Sequence, residues 1–342
     1  MRILVGLSGG VDSAAAARLL LSAGHQVEGA TLVMHEHTEL DAAREAASGL
    51  GIRLHEIDCS ELFDSVVKDN FVSEYLTGRT PNPCIICNEK VKFRCLYDYA
   101  RSHGFDKIAT GHYARVISVT SDEGTRYSVA VSDDPVKDQS YMLSRLPQDI
   151  LSMLLLPLAD KSKPQVREYA GREGLVAADR PDSQEICFLP EGNYAEYIES
   201  IAGKCPEGDF VSEDGLILGR HKGIIRYTVG QRKGLGISLG ERMFVTDIDA
   251  YNNTVTLSPI HSGKSEIRIR DTVLSGALPV GFCGRVKALV KLRYTASARE
   301  GEAMLNPDGT ALISFSEPVK AAPGQSAVGY IDGAVAFSGF IL

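Results

Sequence analysis

The feature that most constrains this chain is a glycine turn, Ser8-Gly9-Gly10-Val11-Asp12-Ser13. It is set between an apolar run, Ile3-Leu4-Val5, and a helical pattern through Val11, Ala14, Ala15, Leu19 and Leu20. Adjacent glycines let successive backbone N–H groups turn inward with no Cβ in the way, which makes a concave anion site. The N-terminus of the following helix adds free N–H groups and the positive end of its dipole. Ser8 and Ser13 add hydroxyl donors, and Asp12 is placed to orient the loop or to hold a magnesium ion. The motif has neither the lysine of a Walker loop nor the spacing of a dinucleotide fingerprint. A Gly-Gly pair alone is more often a plain tight turn, but here the strand before it and the helix after it agree on a phosphate site.

The alternation continues. Val27 to Val33 reads as a second strand. Thr38 is placed to cap a helix that stops near Gly51, with Asp41 three residues on, and Arg53 to Ile57 reads as a third strand. A helix carrying Leu62, Phe63, Val66, Val67 and Leu76 follows, then a Pro-rich loop, a helix over Phe93 to His103 and an extended segment over Lys107 to Ile117. Such alternation implies an α/β domain with a parallel, doubly wound sheet. The character changes near Pro190. A short helical piece, Tyr194 to Ile201, leads into Gly-rich, basic, extended sequence. Beyond Ser265 the chain shows only strands and turns, with Val286–Leu292, Ala311–Phe315, Ala327–Ile331 and Ala334–Phe337 separated by Asn306-Pro307-Asp308-Gly309 and Asp332-Gly333. The expected organisation is an α/β domain over 1–192, a small central domain over 193–262 and a C-terminal antiparallel β-barrel over 263–342. A chain of 342 residues is long enough for two or three such cores.

No apolar run approaches the roughly 20 residues needed to span a bilayer, and a cytoplasmic protein with no membrane partner is the simple reading. The net charge of -8 argues against a nucleic-acid partner only if the total decides, whereas phosphate binding depends on the local field. Gly219 to Gly236 carries Arg220, Lys222, Arg226, Arg232 and Lys233 with no acid between them. Arg285 to Arg299 carries Arg285, Lys287, Lys291, Arg293 and Arg299, again with none. Either run can be a solvated face; two in the back half of an acidic chain point to an acidic ligand there.

Seven cysteines, an odd number, argue against a disulfide framework and for metal or thiol chemistry. Two prolines stiffen Thr80-Pro81-Asn82-Pro83 ahead of Cys84-Ile85-Ile86-Cys87, and Cys187 lies a hundred residues on. A Cys-x-x-Cys by itself suits zinc, a redox dithiol or an iron–sulfur site equally. Cys59, Cys95 and Cys283 are expected to be buried structural thiols, and Cys205 has no assignable role. A reacting thiol must ionise, and Lys90 and Lys92 are candidates for the cation that would help Cys87 do so.

The loop at Ser8 resembles the pyrophosphatase loop (PP-loop) of enzymes that cleave ATP to AMP and pyrophosphate. A whole series of segments occurs in order. It comprises that loop, Gly78-Arg79-Thr80-Pro81-Asn82-Pro83, Thr110-Gly111-His112-Tyr113, Lys137-Asp138-Gln139-Ser140-Tyr141, Asp182-Ser183-Gln184, Ile186-Cys187-Phe188 and Tyr227 to Gly236. The series resembles the bacterial tRNA-specific 2-thiouridylase family and spans nearly the whole chain. The resemblance implies an adenine nucleotide alpha hydrolase-like domain. It also implies an ATP-dependent tRNA-uridine 2-sulfurtransferase that adenylates O2 of the wobble uridine and replaces it with sulfur from a persulfide. Carried over by position, Cys87 resembles the nucleophile and Cys187 the persulfide carrier. Gly6, Leu7, Ser8, Gly9, Gly10, Val11, Asp12, Ser13, Met34 and Gly111 match ATP-contacting positions. Asn82, Pro83 and Cys84 match the base-facing segment, and His112, Lys137, Asp138, Gln139, Arg293, Tyr294 and Gln325 match tRNA-contacting ones. The partners implied are the tRNA anticodon arm and a sulfur-relay or cysteine desulfurase protein, with ATP and Mg2+ as cofactors.

The chain departs from the family pattern in two places. Many members carry Asp at the position of Cys84, so its acid/base role does not transfer. Cys84, Cys87 and Cys187 then allow an alternative in which they hold a four-iron four-sulfur cluster that binds sulfide. The stretch from Met34 to Leu50 is also shorter than in many relatives. Tyr113 and Tyr141 are placed to stack on a base or to pack, and His112 to meet RNA phosphate or ribose. Gln231, Arg232 and Lys233 lie in a glycine-flanked loop that suits close approach of RNA. An adenylating ligase for a small molecule would share the loop but has no use for three cysteines or a basic barrel. A tRNA-binding module with decayed catalysis would not be expected to keep the whole loop and both Cys87 and Cys187.

Overall fold

In a computed structural model, residues 1–121, 124–176, 186–189, 193–238, 240–260 and 263–342 are described. The first half contains β1 (Arg2–Gly6), β2 (Gln26–Val33), β3 (Leu54–Asp58), β4 (Lys107–Ala109), β5 (Arg115–Ser121), β6 (Gly124–Ala130) and β7 (Leu154–Leu155). Five of these form the expected parallel sheet, in the order β3-β2-β1-β4-β7. The apolar run of β1 is continuous because both of its faces are covered. Ile3 and Val5 pack with Ala17, Leu20, Ala47 and Leu50 of two helices on one side, and Leu4 packs with Leu96 and Ala100 on the other. The chain winds from β1 through β2 to β3 and then returns to β4. The crevice at the carboxyl ends of the strands beside β1 and β4 is therefore the topological switch where ligands bind in open α/β sheets.

Three local expectations are corrected. Thr38 does not cap the helix Leu40–Leu50, whose N-cap position is Glu39. Its hydroxyl instead accepts from the N–H groups of Met34 and His35, at 3.3 Å each, and folds the short stretch after β2 back on itself. The helix expected from Phe93 begins at Pro83. It runs through Pro83–Cys87, a wider π turn at Asn88–Lys92, and Phe93–Ser102. Proline at the first turn and an Asn82 side chain accepting from the Cys84 N–H explain that start. The extended segment over Lys107 to Ile117 is broken. β4 ends at Ala109, and Thr110–Ala114 leaves the sheet before β5 and β6 pair as a hairpin.

The central part contains β8 (Gly208–Val211), β9 (Ile217–His221), β10 (Phe244–Asp249) and β11 (Thr254–Ser258), ordered β10-β11-β8-β9 over Phe210, Val245, Val255 and Leu257. The last part is β12 (Lys264–Leu274), β13 (Gly284–Lys291), β14 (Arg299–Leu305), β15 (Ala311–Val319), β16 (Ser326–Ile331) and β17 (Ala334–Ile341). These run β12-β15-β14-β13-β16-β17, and pairing of β12 with β17 closes an antiparallel barrel around Ile267, Ile269, Val290, Ile313 and Phe337. The β5–β6 hairpin joins the barrel sheet along β17. Charged bridges fasten the α/β part to the barrel. Glu74, buried, holds Arg79 at 2.7 Å and Arg270 at 3.0 Å, and Arg145 binds Glu89 at 2.7 Å and the Asp271 carbonyl at 2.7 Å.

Candidate active site

The glycine loop leaves the end of β1 as its sequence demands. Gly9 has φ +79°, and a Cβ there would lie 2.4 Å from the Ala42 Cβ, so only glycine fits. The Ser13 hydroxyl donates to the Gly10 carbonyl (3.0 Å) and accepts from the Ser8 N–H (3.3 Å), which closes the loop on itself. Gly6 and Leu7 form the strand end, and the Leu7 N–H donates to Ala30 O. Val11 opens the helix Val11–Ser22 and is buried. Gly111, across the switch point, packs so tightly on this helix start that an added Cβ would meet Asp12 and Ser13 backbone atoms at 2.6 to 2.7 Å.

Asp12 is the loop's carboxylate. The Lys163 Nζ reaches it at 2.7 and 2.8 Å, and the Tyr113 hydroxyl donates to it at 2.7 Å. Asp12 thus ties the loop to Lys163 and Tyr113. Lys163 is a residue that the sequence reading missed. It begins the helix Lys163–Arg172, and the available signal was the capping box Ser162–Gln165. A loop without a lysine thus has one delivered from 151 positions away. Tyr113 and Tyr141 are both buried with engaged hydroxyls, Tyr141 donating to Ser326 O at 2.9 Å, so they pack and do not stack on a base.

Cys84, Cys87 and Cys187 lie near enough to act on one another. Cys87 is buried, with Sγ 3.9 Å from the sulfur of Met34 at the end of β2. Burial pushes the Cys87 thiol up to about 11, the Lys92 ammonium pulls it down, and Cys187 and Cys84 push it further up. Cys187 is raised by burial first, then by Cys84, with Lys92 opposing. Both reacting candidates therefore sit in the field of Lys92. Lys90 is exposed beside Glu89 and Arg94, lining a cavity of about 640 Å³ at the barrel, and is not the cation of this site. Cys187 is placed by its neighbour: the Phe188 ring is buried against Phe63 (5.6 Å), Phe71 (5.4 Å) and Tyr197 (5.6 Å). Asp182-Ser183-Gln184 lies outside the described residues. Of the expected structural thiols, Cys59 is buried, Cys95 partly so and Cys283 exposed.

His112 stands over the Phe93 ring with Nδ1 2.8 Å from the Thr110 hydroxyl. Burial and then the Lys92 charge push its pKa down to about 3, so it is neutral at pH 7 and no cation for phosphate. Among the described residues no three His, Cys, Asp or Glu side chains stand together as a ready-made metal site.

A second cluster faces the barrel. Asp138 is buried and accepts from the Ser132 N–H (3.0 Å) and the Ser140 hydroxyl (2.7 Å), and Gln139 exchanges hydrogen bonds with the Tyr113 backbone at 2.7 and 2.9 Å. The Lys291 ammonium lies 5.4 Å from the Tyr294 ring centre and 6.0 Å from that of Tyr141. Asp138 and Lys137 are near enough to act on Tyr294. Lys137 to Gln139 and Arg293–Tyr294 thus meet at one face, with Arg293 exposed. Within the first basic run, Arg220 pairs with Asp209 and Arg226 with Glu199, while Lys222, Arg232 and Lys233 are exposed.

Comparison with known proteins matches the chain part by part. Residues 1–191 match the family model described as the tRNA methyl transferase HUP domain, 195–259 its PRC-barrel domain and 264–341 the aminomethyltransferase beta-barrel domain. The tRNA-specific 2-thiouridylase of Acetivibrio thermocellus is 42% identical, over 100% of this chain and 99% of its own. That of Treponema denticola is 40% identical over 96% of this chain and 94% of its own. The chain belongs to the tRNA-specific 2-thiouridylase family. The match to the 2-thiouridylases runs through the glycine loop, the cysteine segments and the barrel alike.

Proposed function

We propose that this chain is an ATP-dependent tRNA-uridine 2-sulfurtransferase. The observation that carries the reading is the placement of the Cys87 thiol against Met34, which follows β2 at the carboxyl end of the sheet, the end at which the glycine loop leaves β1. Nucleotide and sulfur chemistry then share one crevice. The loop amides, Ser8, Ser13 and Lys163 bind the phosphates, and Asp12 holds loop and lysine in register, with Mg2+ shielding phosphate charge when bound. The O2 of the wobble uridine attacks the α-phosphorus of ATP, and pyrophosphate leaves. Asn82, Pro83 and Cys84 face the base. His112, a neutral imidazole, is suited to hydrogen-bond RNA.

Cys187 receives the sulfane sulfur from a relay or desulfurase protein. The terminal sulfur bonds to C2 and AMP departs with the old oxygen. The Cys87 thiolate attacks the Cys187 Sγ, so the S–S bond of the persulfide breaks as a Cys87–Cys187 disulfide forms. A dithiol reductant then reopens that disulfide. Lys137, Gln139, Arg293, Tyr294 and Gln325 hold the anticodon arm, with Asp138 bracing their loop from within. Domains 1–192, 193–262 and 263–342 supply catalysis, adaptor and RNA clamp in a cytoplasmic enzyme. Cys87→Ser and Cys187→Ser should each abolish 2-thiouridine formation, read by retardation of tRNA in mercury-containing gels, while ATP binding persists. Full activity in either variant removes the sulfur-relay reading.

A further inference from the structure

We propose that Thr228 of the central domain and Gln325 of the barrel are positioning residues for the base-facing loop, acting on it through Thr80. The inference rests on the thiolation reading above and extends it. The geometry is unusual for a loop inside an α/β domain. The Thr80 N–H donates to Pro323 O at 2.8 Å, the Thr80 carbonyl accepts from Gln325 Nε2 at 2.7 Å, and the Thr80 hydroxyl lies 3.1 Å from that of Thr228. All three partners lie outside the domain to which Thr80 belongs.

Packing says the same. Gly324 has φ +88°, and a Cβ on it would fall 2.9 Å from the Thr80 N. A Cβ on Gly78 would fall 2.9 Å from Ile248 of β10. Glycines on both sides of the junction therefore let the other two domains close on this loop.

From Thr80 the constraint passes along a stiff path. Pro81 and Pro83 have fixed φ and no N–H, so the segment between them has little freedom of its own. Asn82 ends that path and accepts from the Cys84 N–H at 3.2 Å, at the start of the helix that carries Cys87. On the other side, the Thr228 N–H donates to the Gln231 side chain at 3.0 Å, and Gln231 donates to Lys233 O at 3.0 Å. The exposed basic loop at Arg232 and Lys233 is thus joined to Thr80 by three hydrogen bonds in series. RNA that engages the central domain and the barrel would set the base-facing loop at the same moment.

The test uses the full chain, unmodified tRNA, saturating ATP, a cysteine desulfurase with cysteine as persulfide donor and a dithiol reductant, with Thr228→Val, Thr228→Ser and Gln325→Glu. Losing one positioning hydrogen bond is expected to lower kcat about tenfold, in line with the cost of small misplacements in an active site. The tRNA Kd of Thr228→Val should stay within about twofold of the parent, since the removed hydroxyl faces protein. Thr228→Ser, which keeps the hydroxyl, should restore kcat. Amide exchange in the peptide spanning 78–88 should quicken in Thr228→Val and Gln325→Glu even without substrate. Parent-like kcat and exchange in both variants would overturn the inference, as would a Thr228→Ser enzyme as slow as Thr228→Val. If the parent itself makes no 2-thiouridine, the thiolation reading falls, and the inference falls with it.

Discussion

Cys87 must ionise to react, and its surroundings oppose that. With its thiol pushed up to about 11, only about one molecule in ten thousand carries the thiolate at pH 7. Its alkylation rate, followed on the Cys87 peptide by mass spectrometry, should rise about tenfold per pH unit from pH 7 to 10. Lys92→Met should slow it at every pH, because the cation that lowers the pKa is gone. His112 gives the opposite sign in stability. Its folded pKa of about 3 lies below the unfolded value of about 6.5, so between those limits the unfolded chain binds the extra proton. Its contribution is complete above pH 6.5 and is lost as the pH falls towards 3. Relative to His112→Gln, the parent should lose about 2 kcal/mol of stability between pH 7 and 5, measured by urea unfolding. The types of these residues were legible in the sequence, but their states were not. Nothing in Thr110-Gly111-His112 announces that the imidazole is desolvated, and nothing near Asp12 announces Lys163.

At the scale of elements, legibility followed the range of the forces. The glycine loop, β1 and the first helix are a local pattern, and they formed as read. The helix carrying Cys87 was read ten residues short because Asn82-Pro83, a cap and first-turn pair, also looks like a loop. β12 and β14 were not read, since Lys264-Ser-Glu-Ile-Arg-Ile-Arg and Arg299-Glu-Gly-Glu-Ala-Met-Leu are charged and partly helix-favouring. Their strand state comes from barrel partners, which local propensity does not contain. One contact between elements gives a sharp test. Gly111→Ala would place a carbon within 2.7 Å of the backbone that starts the nucleotide helix. It should raise the KM for ATP at least about tenfold in pyrophosphate-release assays, with a smaller effect on tRNA affinity, because the backbone shift falls on the loop.

Across the whole molecule, the charge total misleads and its distribution informs. The net charge is -8, yet Lys222, Arg232, Lys233 and Arg293 stand exposed, while other basic residues of the two runs, such as Arg220, Arg226 and Arg285, are matched by acids. The affinity for tRNA should fall as salt rises, with a logarithmic slope of about 0.7 to 0.9 per neutralised phosphate, and Arg293→Ala or Arg232→Ala should each reduce the slope by about one. A filter-binding series from low to moderate salt reads this directly, and a flat series would make the basic runs ordinary solvated surface. Domain order was legible because composition shifts along the chain. The joints were not, because Glu74 with Arg270 and Thr80 with Gln325 are pairs separated by 196 and 245 positions.

The hairpin of β5 and β6 that lies along β17 has a consequence for biosynthesis. Ala130 pairs with Ala334, and the Ser128 hydroxyl donates to Val335 O at 2.6 Å, so the edge of β17 is met by a ribbon made some two hundred residues earlier. The nascent N-terminal half can thus hold a template ready while the rest of the chain is still being translated. A tail produced without that half would expose a bare strand margin, the kind of surface through which copies of a protein stick to one another.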